Sequence, residues 1–201
     1  MTQALLTRLG EDHKRIEKVL NLIERELNKF NNDDEEENLI AVRDALEYMQ
    51  AYPDAIHHPI EERMFAVLGQ LSTELISAAE QQTIETLQAQ HTEILNRTKA
   101  LQQDVDNILN DVVCPIERLM LHLKAYVDLQ REHMQTENSI LFPLAQRCLG
   151  SKDWALLEAE LNTQTDPLFD GTFDHPAADQ AQLNETARFN NLYLEIVDEL
   201  D

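Results

Sequence analysis

Residues 116–144, IERLMLHLKAYVDLQREHMQTENSILFPL, decide the fold. Ile116, Leu119, Leu123, Tyr126, Gln130, His133, Glu137, Ile140 and Leu144 recur in it at alternating intervals of three and four. That alternation keeps one stripe of an α-helix facing a partner. Pro115 suits a first helical turn, and the pattern runs to about Cys148. The informative residues are the polar ones on the stripe. His133 and Glu137 stand one turn apart among apolar neighbours, so both project to the buried face. A buried carboxylate without a partner is costly, and it normally pairs with a cation or binds a metal.

Three earlier segments repeat the pattern. Over residues 2–30 the stripe is Leu6, Leu9, His13, Ile16, Leu20, Ile23 and Leu27, with Thr2 as the expected N-cap. The second segment, residues 36–68, carries Leu39, Val42, Leu46 and Met49, then Pro53 and Pro59, which predict a kink or break near Tyr52-Pro53-Asp54. The acidic run at residues 33–37 reads as a solvated loop before it. The third segment, residues 74–110, presents Ile84, Leu87, His91, Ile94, Thr98, Leu101, Val105 and Ile108. Four long helices with short polar links predict an all-α, up-down-up-down four-helix bundle over residues 1–149. Residues 150–201 read as a helical C-terminal extension, with a short helix at 153–161 and an amphipathic one at 184–200 carrying Phe189, Leu192, Ile196, Val197 and Leu200. It packs either on the bundle or on a second copy in a homodimer.

Taken singly, a histidine on an apolar stripe is more often a hydrogen-bonded core residue than a ligand. Here such intrusions fall on every segment, and His57 and Glu61 repeat the His133–Glu137 spacing. Together with His13 and His91 they bring four imidazoles and two carboxylates toward one cavity. That mixture suits iron or another first-row metal, whereas calcium and magnesium favour all-oxygen sites. Two carboxylates can bridge two ions and reduce their repulsion, and a single zinc would leave two of these residues unexplained.

These residues carry a resemblance. Asp12-His13, His57-His58-Pro59-Ile60-Glu61-Glu62, His91, His133-Met134-Gln135-Thr136-Glu137 and Leu141-Phe142-Pro143 together resemble the hemerythrin HHE cation-binding domain over about residues 5–147. The resemblance implies two iron ions with a bridging oxo or hydroxo group. His13, His57, His91 and His133 would be terminal ligands, and Glu61 and Glu137 would bridge. A purified sample can carry another first-row metal instead. Oxygen-carrying hemerythrins have a further histidine one turn after the third-helix ligand, and Leu95 stands there in this chain. One iron then lacks a nitrogen unless His58 or Glu62 swings in or water fills the place. The resemblance thereby shifts from oxygen transport to members that sense O2 or NO, handle iron, act on peroxide or repair iron centres.

The remaining polar residues have plainer readings. His122 falls beside the fourth stripe as a surface group, and His175 falls in a solvent-facing loop. Tyr126 either hydrogen-bonds within the cavity or packs in the core. A net charge of −22, from 38 acidic against 16 basic residues, speaks against binding nucleic acid or an anionic membrane. No signal peptide or spanning apolar run is legible. Cys114 and Cys148 form no CxxC pair, which points to free thiols in a reducing cytosol. The leading functional expectation is a di-iron module that binds or senses O2, NO or iron. A di-iron oxidoreductase acting on peroxide or nitric oxide comes second, and a metal-free bundle third.

Overall fold

The computed structural model describes residues 4–30, 37–72, 74–159, 165–170 and 180–197. All regular structure among them is helical: α1 (Ala4–Lys29), α2 (Leu39–Met49), α3 (His58–Leu68), α4 (Ala78–Leu109), α5 (Ile116–Thr136), α6 (Phe142–Cys148), α7 (Ser151–Glu158) and α8 (Gln180–Val197). Thr2, residues 33–36, Leu161, His175 and Leu200 lie outside the described residues.

Two π-helical stretches turn these elements into four long rods. Gln50–His57 joins α2 to α3, and Glu137–Leu141 joins α5 to α6. Each precedes a proline in the first turn of the next helix, Pro59 and Pro143. A proline ring clashes with the carbonyl four residues back in an α-helix, and a wider turn relieves the clash. The backbone shows that widening: the His58 N–H reaches the Pro53 carbonyl, and the Phe142 N–H reaches the Glu137 carbonyl. At Tyr52-Pro53-Asp54, the site of the expected kink or break, the helix does not break but continues with a wider turn. In the fourth rod the extra residue shifts the stripe by one. Ile140, expected inside, is 41% exposed, and Leu141 is fully buried in its place.

Rod α1 packs against α2 and α5, and α4 packs against the same two. Asn38 caps α2 by accepting the Ala41 N–H. Ser77 and Glu80 form a capping box that starts α4 later than the apolar pattern suggested. The core divides in two along the rods. One cluster includes Ile16, Leu20, Val42, Met49, Ile94, Leu101 and Leu123. The other includes Leu5, Leu9, Met64, Phe65, Leu87 and Leu141. In α1, in the α2–α3 rod and in α4, the buried polar residues fall between the two clusters: 13 between 9 and 16, 57–61 between 52 and 64, 91 between 87 and 94. Apolar packing on both sides thus fixes four rods around one polar layer.

Beyond the fourth rod, α7 packs on α1 and α3. Helix α8 packs on α1 and α2, burying Phe189, Leu192 and Ile196. Among the described residues no helix is long and apolar enough to cross a membrane, and Cys114 and Cys148 are free thiols.

Candidate metal centre

All seven residues singled out as metal ligands meet in the polar layer, each at most 7% exposed: His13, His57, His58, Glu61, His91, His133 and Glu137. His13 comes from α1 and His91 from α4. His57 ends the first π stretch, and His58 and Glu61 open α3. His133 closes α5 and Glu137 opens the second π stretch. The i,i+4 spacing brings His57 Nε2 to 3.4 Å from Glu61 Oε1, and His133 Nε2 to 3.1 Å from Glu137 Oε1.

Three of the rings share one orientation. His57 Nδ1 meets Asp12 Oδ2 at 3.3 Å, His91 Nδ1 meets Glu62 Oε1 at 2.7 Å, and His133 Nδ1 meets Gln90 Oε1 at 3.1 Å. A carboxylate or amide oxygen can only accept, so this network assigns a proton to Nδ1 and turns Nε2 inward, where a metal would take the place of any second proton. The inward nitrogens surround the two glutamates. His13 Nε2 lies 3.6 Å from Glu61 Oε1 and 3.3 Å from Glu137 Oε2. His91 Nε2 lies 3.5 Å from Glu61 Oε2 and 3.6 Å from Glu137 Oε1.

These atoms fall into two groups able to hold a metal ion. One is His58, Glu61, His91 and His133; the other is His13, His57 and Glu61. Glu61 belongs to both. Glu137 also touches both, through His13 on one side and His91 and His133 on the other. His58 fills the side of the site that faces Leu95. Its ring stacks on His91 at 4.4 Å and meets His133 edge-on at 5.6 Å, and its Nδ1 lies 3.4 Å from Asp54. Leu95 is half-buried and lines the same cleft as His58 and His91. Glu62, named beside His58 as a group that could fill the missing nitrogen's place, backs His91 from the outside, 38% exposed and steadied by Gln88 Nε2 at 2.9 Å.

The donor set fits metal ions. Both nitrogens of His13, both oxygens of Glu61 and Glu137, and Nε2 of His91 and His133 are buried without an aligned hydrogen bond. They approach each other at ion-pair distances of 3.1–3.6 Å without hydrogen-bond geometry. Unsatisfied buried polar atoms are rare, and so many converging on one point are explained by cations between them.

Charge in the metal-free protein follows the same geometry. Burial pulls the His13 and His91 imidazoliums down, but contact with Glu137 and Glu61 outweighs it and lifts each to about 10. Glu137 is held well below the usual carboxylate range; burial opposes this, and His133, His13 and His91 bring it about. His58 behaves oppositely: burial, then the neighbouring His91, His57 and His133, push it well below an ordinary histidine. Because the folded values of His13 and His91 lie above the unfolded one, their contribution to metal-free stability is complete below about pH 6.5 and fades as pH rises through about 10. A metal needs the neutral ring, so loading at pH 7.5 is expected to release about two protons per chain, and affinity should fall on acidification. Titrating Zn2+ calorimetrically in buffers of differing ionisation enthalpy checks this; heats independent of the buffer would contradict it.

His122 is exposed on the outer face, in a groove with Leu101 and Leu121. Tyr126 is fully buried and accepts hydrogen bonds from Thr98 Oγ1 and Gln130 Nε2, so it both packs and bonds. Sequence reasoning gave no role to Asp12, Gln90 or Asp54. Asp54 could have been found, since it stands four residues before His58 on the same face. Its buried carboxyl is raised to about 6, chiefly by desolvation. Asp12 and Gln90 act on histidines more than forty positions away, and only the fold reveals them.

Clefts reach the layer from two sides. One, between α1 and α5, is lined by Thr7, Gly10, Lys14, Gln135 and Asn138 and touches His13. The other is lined by Asp54, His58, Glu62, Gln88 and Leu95 and touches His91. Neither the curated proteins nor the solved structures offer a match to this chain. The hemerythrin HHE cation-binding domain matches residues 4–145, from the first turn of α1 into α6, and covers every residue of the polar layer. The chain belongs to the hemerythrin HHE cation-binding domain family.

Proposed function

We propose that this chain is a cytosolic di-iron protein that takes up O2, NO or iron itself and reports or buffers it. Its frame is an up-down-up-down four-helix bundle over residues 1–149, with residues 150–201 as a helical extension. The ligands are His13, His57, His58, His91, His133, Glu61 and Glu137. The observation that carries this reading is the pair of histidine groups sharing Glu61, with Glu137 touching both. Two cations held so close repel each other, and two carboxylates between them offset that repulsion. Five imidazoles and two carboxylates form a set for a first-row transition metal and not for calcium or magnesium. Iron supplies a redox-active Lewis acid able to coordinate a diatomic ligand.

The two sides are unequal. His58, His91 and His133 would give three nitrogens to one ion, whereas His13 and His57 would give two to the other. The less-ligated side adjoins the α1–α5 cleft, where Gly10 leaves open space within 4 Å of an added Cβ. A small ligand would enter there, and this supports binding over simple storage. Protein from iron-replete cells is expected to contain about two irons per chain by the dinuclear argument. A content of zero would overturn the proposal. Mixing the ferrous protein with O2, NO or H2O2 then separates the functions. A stable, reversible spectral change supports binding, and sustained consumption of peroxide or NO supports a di-iron oxidoreductase.

A further inference from the structure

Residues 166–170 lie beyond the 4–145 family match, yet they close a chain of polar contacts that ends on His57. Asp166 is fully buried. Its Oδ1 accepts the backbone N–H of Leu168 at 2.8 Å and of Phe169 at 3.1 Å. Its Oδ2 accepts the Tyr48 hydroxyl at 3.0 Å and meets Arg15 at 3.3 Å. Asp170 Oδ2 accepts the Asp166 N–H at 2.9 Å, which closes the turn on itself. Leu168 is buried in the main core cluster, and the Phe169 ring sits edge-on to Tyr48, beneath Arg15 and Lys18. The segment is thus docked by both apolar and ionic contacts.

From this turn the contacts run inward. Asp170 pairs with Arg15 at 2.8 Å and with Arg8 Nη2 at 3.2 Å. Arg8 Nε donates to Asp12 Oδ1 at 2.9 Å, and Arg8 Nη2 donates to the Tyr52 hydroxyl. Tyr52 donates to Asp12 Oδ2 at 3.1 Å, the same oxygen that meets His57 Nδ1 at 3.3 Å. Asp12 is 1% exposed, so its carboxylate depends on these partners. Arg8 holds one oxygen, and Tyr52 and His57 share the other. A histidine that donates Nδ1–H to a fixed carboxylate has both its tautomer and its ring orientation set.

We propose that residues 166–170 form part of the metal centre. Asp170, Arg8 and Tyr52 act as positioning residues that hold Asp12, and through it His57, with Nε2 turned to Glu61. Docking of this segment and metal occupancy are therefore coupled. The coupling is reciprocal: whatever factor docking adds to metal affinity, the metal adds to docking. This rests on the reading of His57 as a ligand. It gives the C-terminal extension a task that the family match does not cover, that of carrying the occupancy of the site to the surface of the bundle.

The full-length chain tests it with Fe2+ alone as the probe. Iron release to ferrozine is followed in wild type, Arg8→Met, Tyr52→Phe, Asp170→Asn and Asp170→Glu. Losing an outer partner of a metal-bound histidine typically costs about 10- to 100-fold in affinity. These variants act one or two contacts further out, so one of two irons should leave more readily by up to that factor in the first three, with partial recovery in Asp170→Glu. Arg188→Ala is the structural control, because Arg188 ties α8 to Glu47 without reaching His57. It should leave iron release unchanged. Hydrogen exchange at the Leu168 and Phe169 amides needs no variant, and it should slow on metal loading in the wild type. Variants that release iron at the wild-type rate, or amides that exchange alike with and without metal, overturn the coupling alone. A wild type that takes up no iron overturns both the ligand reading and the coupling.

Discussion

A Glu61→Ala variant is expected to bind neither metal ion, taking the iron content from about two per chain to near zero. Among the described residues, no other belongs to both groups able to hold a metal. Its Oε1 faces His13 and His57, and its Oε2 faces His91. Removing it takes an anionic oxygen from each ion at once and leaves Glu137 alone to offset their mutual repulsion. Loss of a histidine from one side, as in His133→Ala, is expected to be milder because it strips a single ion. Glu61 also matters without metal, since it is fully buried and holds His13 and His91 charged. Breaking a buried ion cluster by removing one partner typically destabilises by about 3–5 kcal/mol. Metal analysis reads the first effect, and urea denaturation of the metal-free protein reads the second. Glu61→Gln keeps the side-chain shape and separates metal loss from misfolding. Two irons retained by folded Glu61→Ala would refute the shared-ligand reading.

The sequence showed the histidines and glutamates of the polar layer better than it showed what holds them. His13, His91 and His133 were legible because the alternation of three and four is a local property: a polar residue on an otherwise apolar stripe stands out without knowledge of the fold. Ile140 was misplaced for the same reason. The pattern assumes an unbroken α-helix, and the wide turn before Pro143 moves Leu141 into its position. The outer partners leave no periodic trace. Asp12 meets His57 across 45 positions, and Gln90 meets His133 across 43. Each is an ordinary polar residue beside its own helix's stripe until another rod supplies its histidine. The extension was legible as helical from Phe189, Leu192 and Ile196, which are buried as expected. That residues 166–170 reach toward the polar layer follows from Arg8 and Arg15 on a distant helix, and no local pattern announces it.

His58→Leu is expected to lower the iron content from about two per chain to about one, and Leu95→His in that background to restore it. The two positions answer each other across one cleft. Leu95 lies one turn after His91 and faces the same way, and it lines the opening shared by His58 and His91. His58 occupies the space to which a histidine at position 95 would reach, with its ring stacked on His91 and close to His133. The wide helical turn ending at His57 allows this. It lets two adjacent residues of one rod serve opposite sides of the site, His57 against Asp12 and His58 against Asp54. Burial and three neighbouring imidazoles keep His58 neutral, so it carries no proton for a metal to displace. His13 and His91 differ in just that respect. Leucine is close to histidine in volume, so the exchange opens little cavity, and Asp54, which loses its contact with His58, is already raised to about 6 by burial and can take up a proton. The bundle should therefore stay folded while one ion is lost. The ion retained should be the one on His13 and His57, and its removal by a further His57→Ala change would confirm which side emptied. A His58→Leu protein that still holds two irons with wild-type affinity would place His58 among the packing residues and return the missing nitrogen to water.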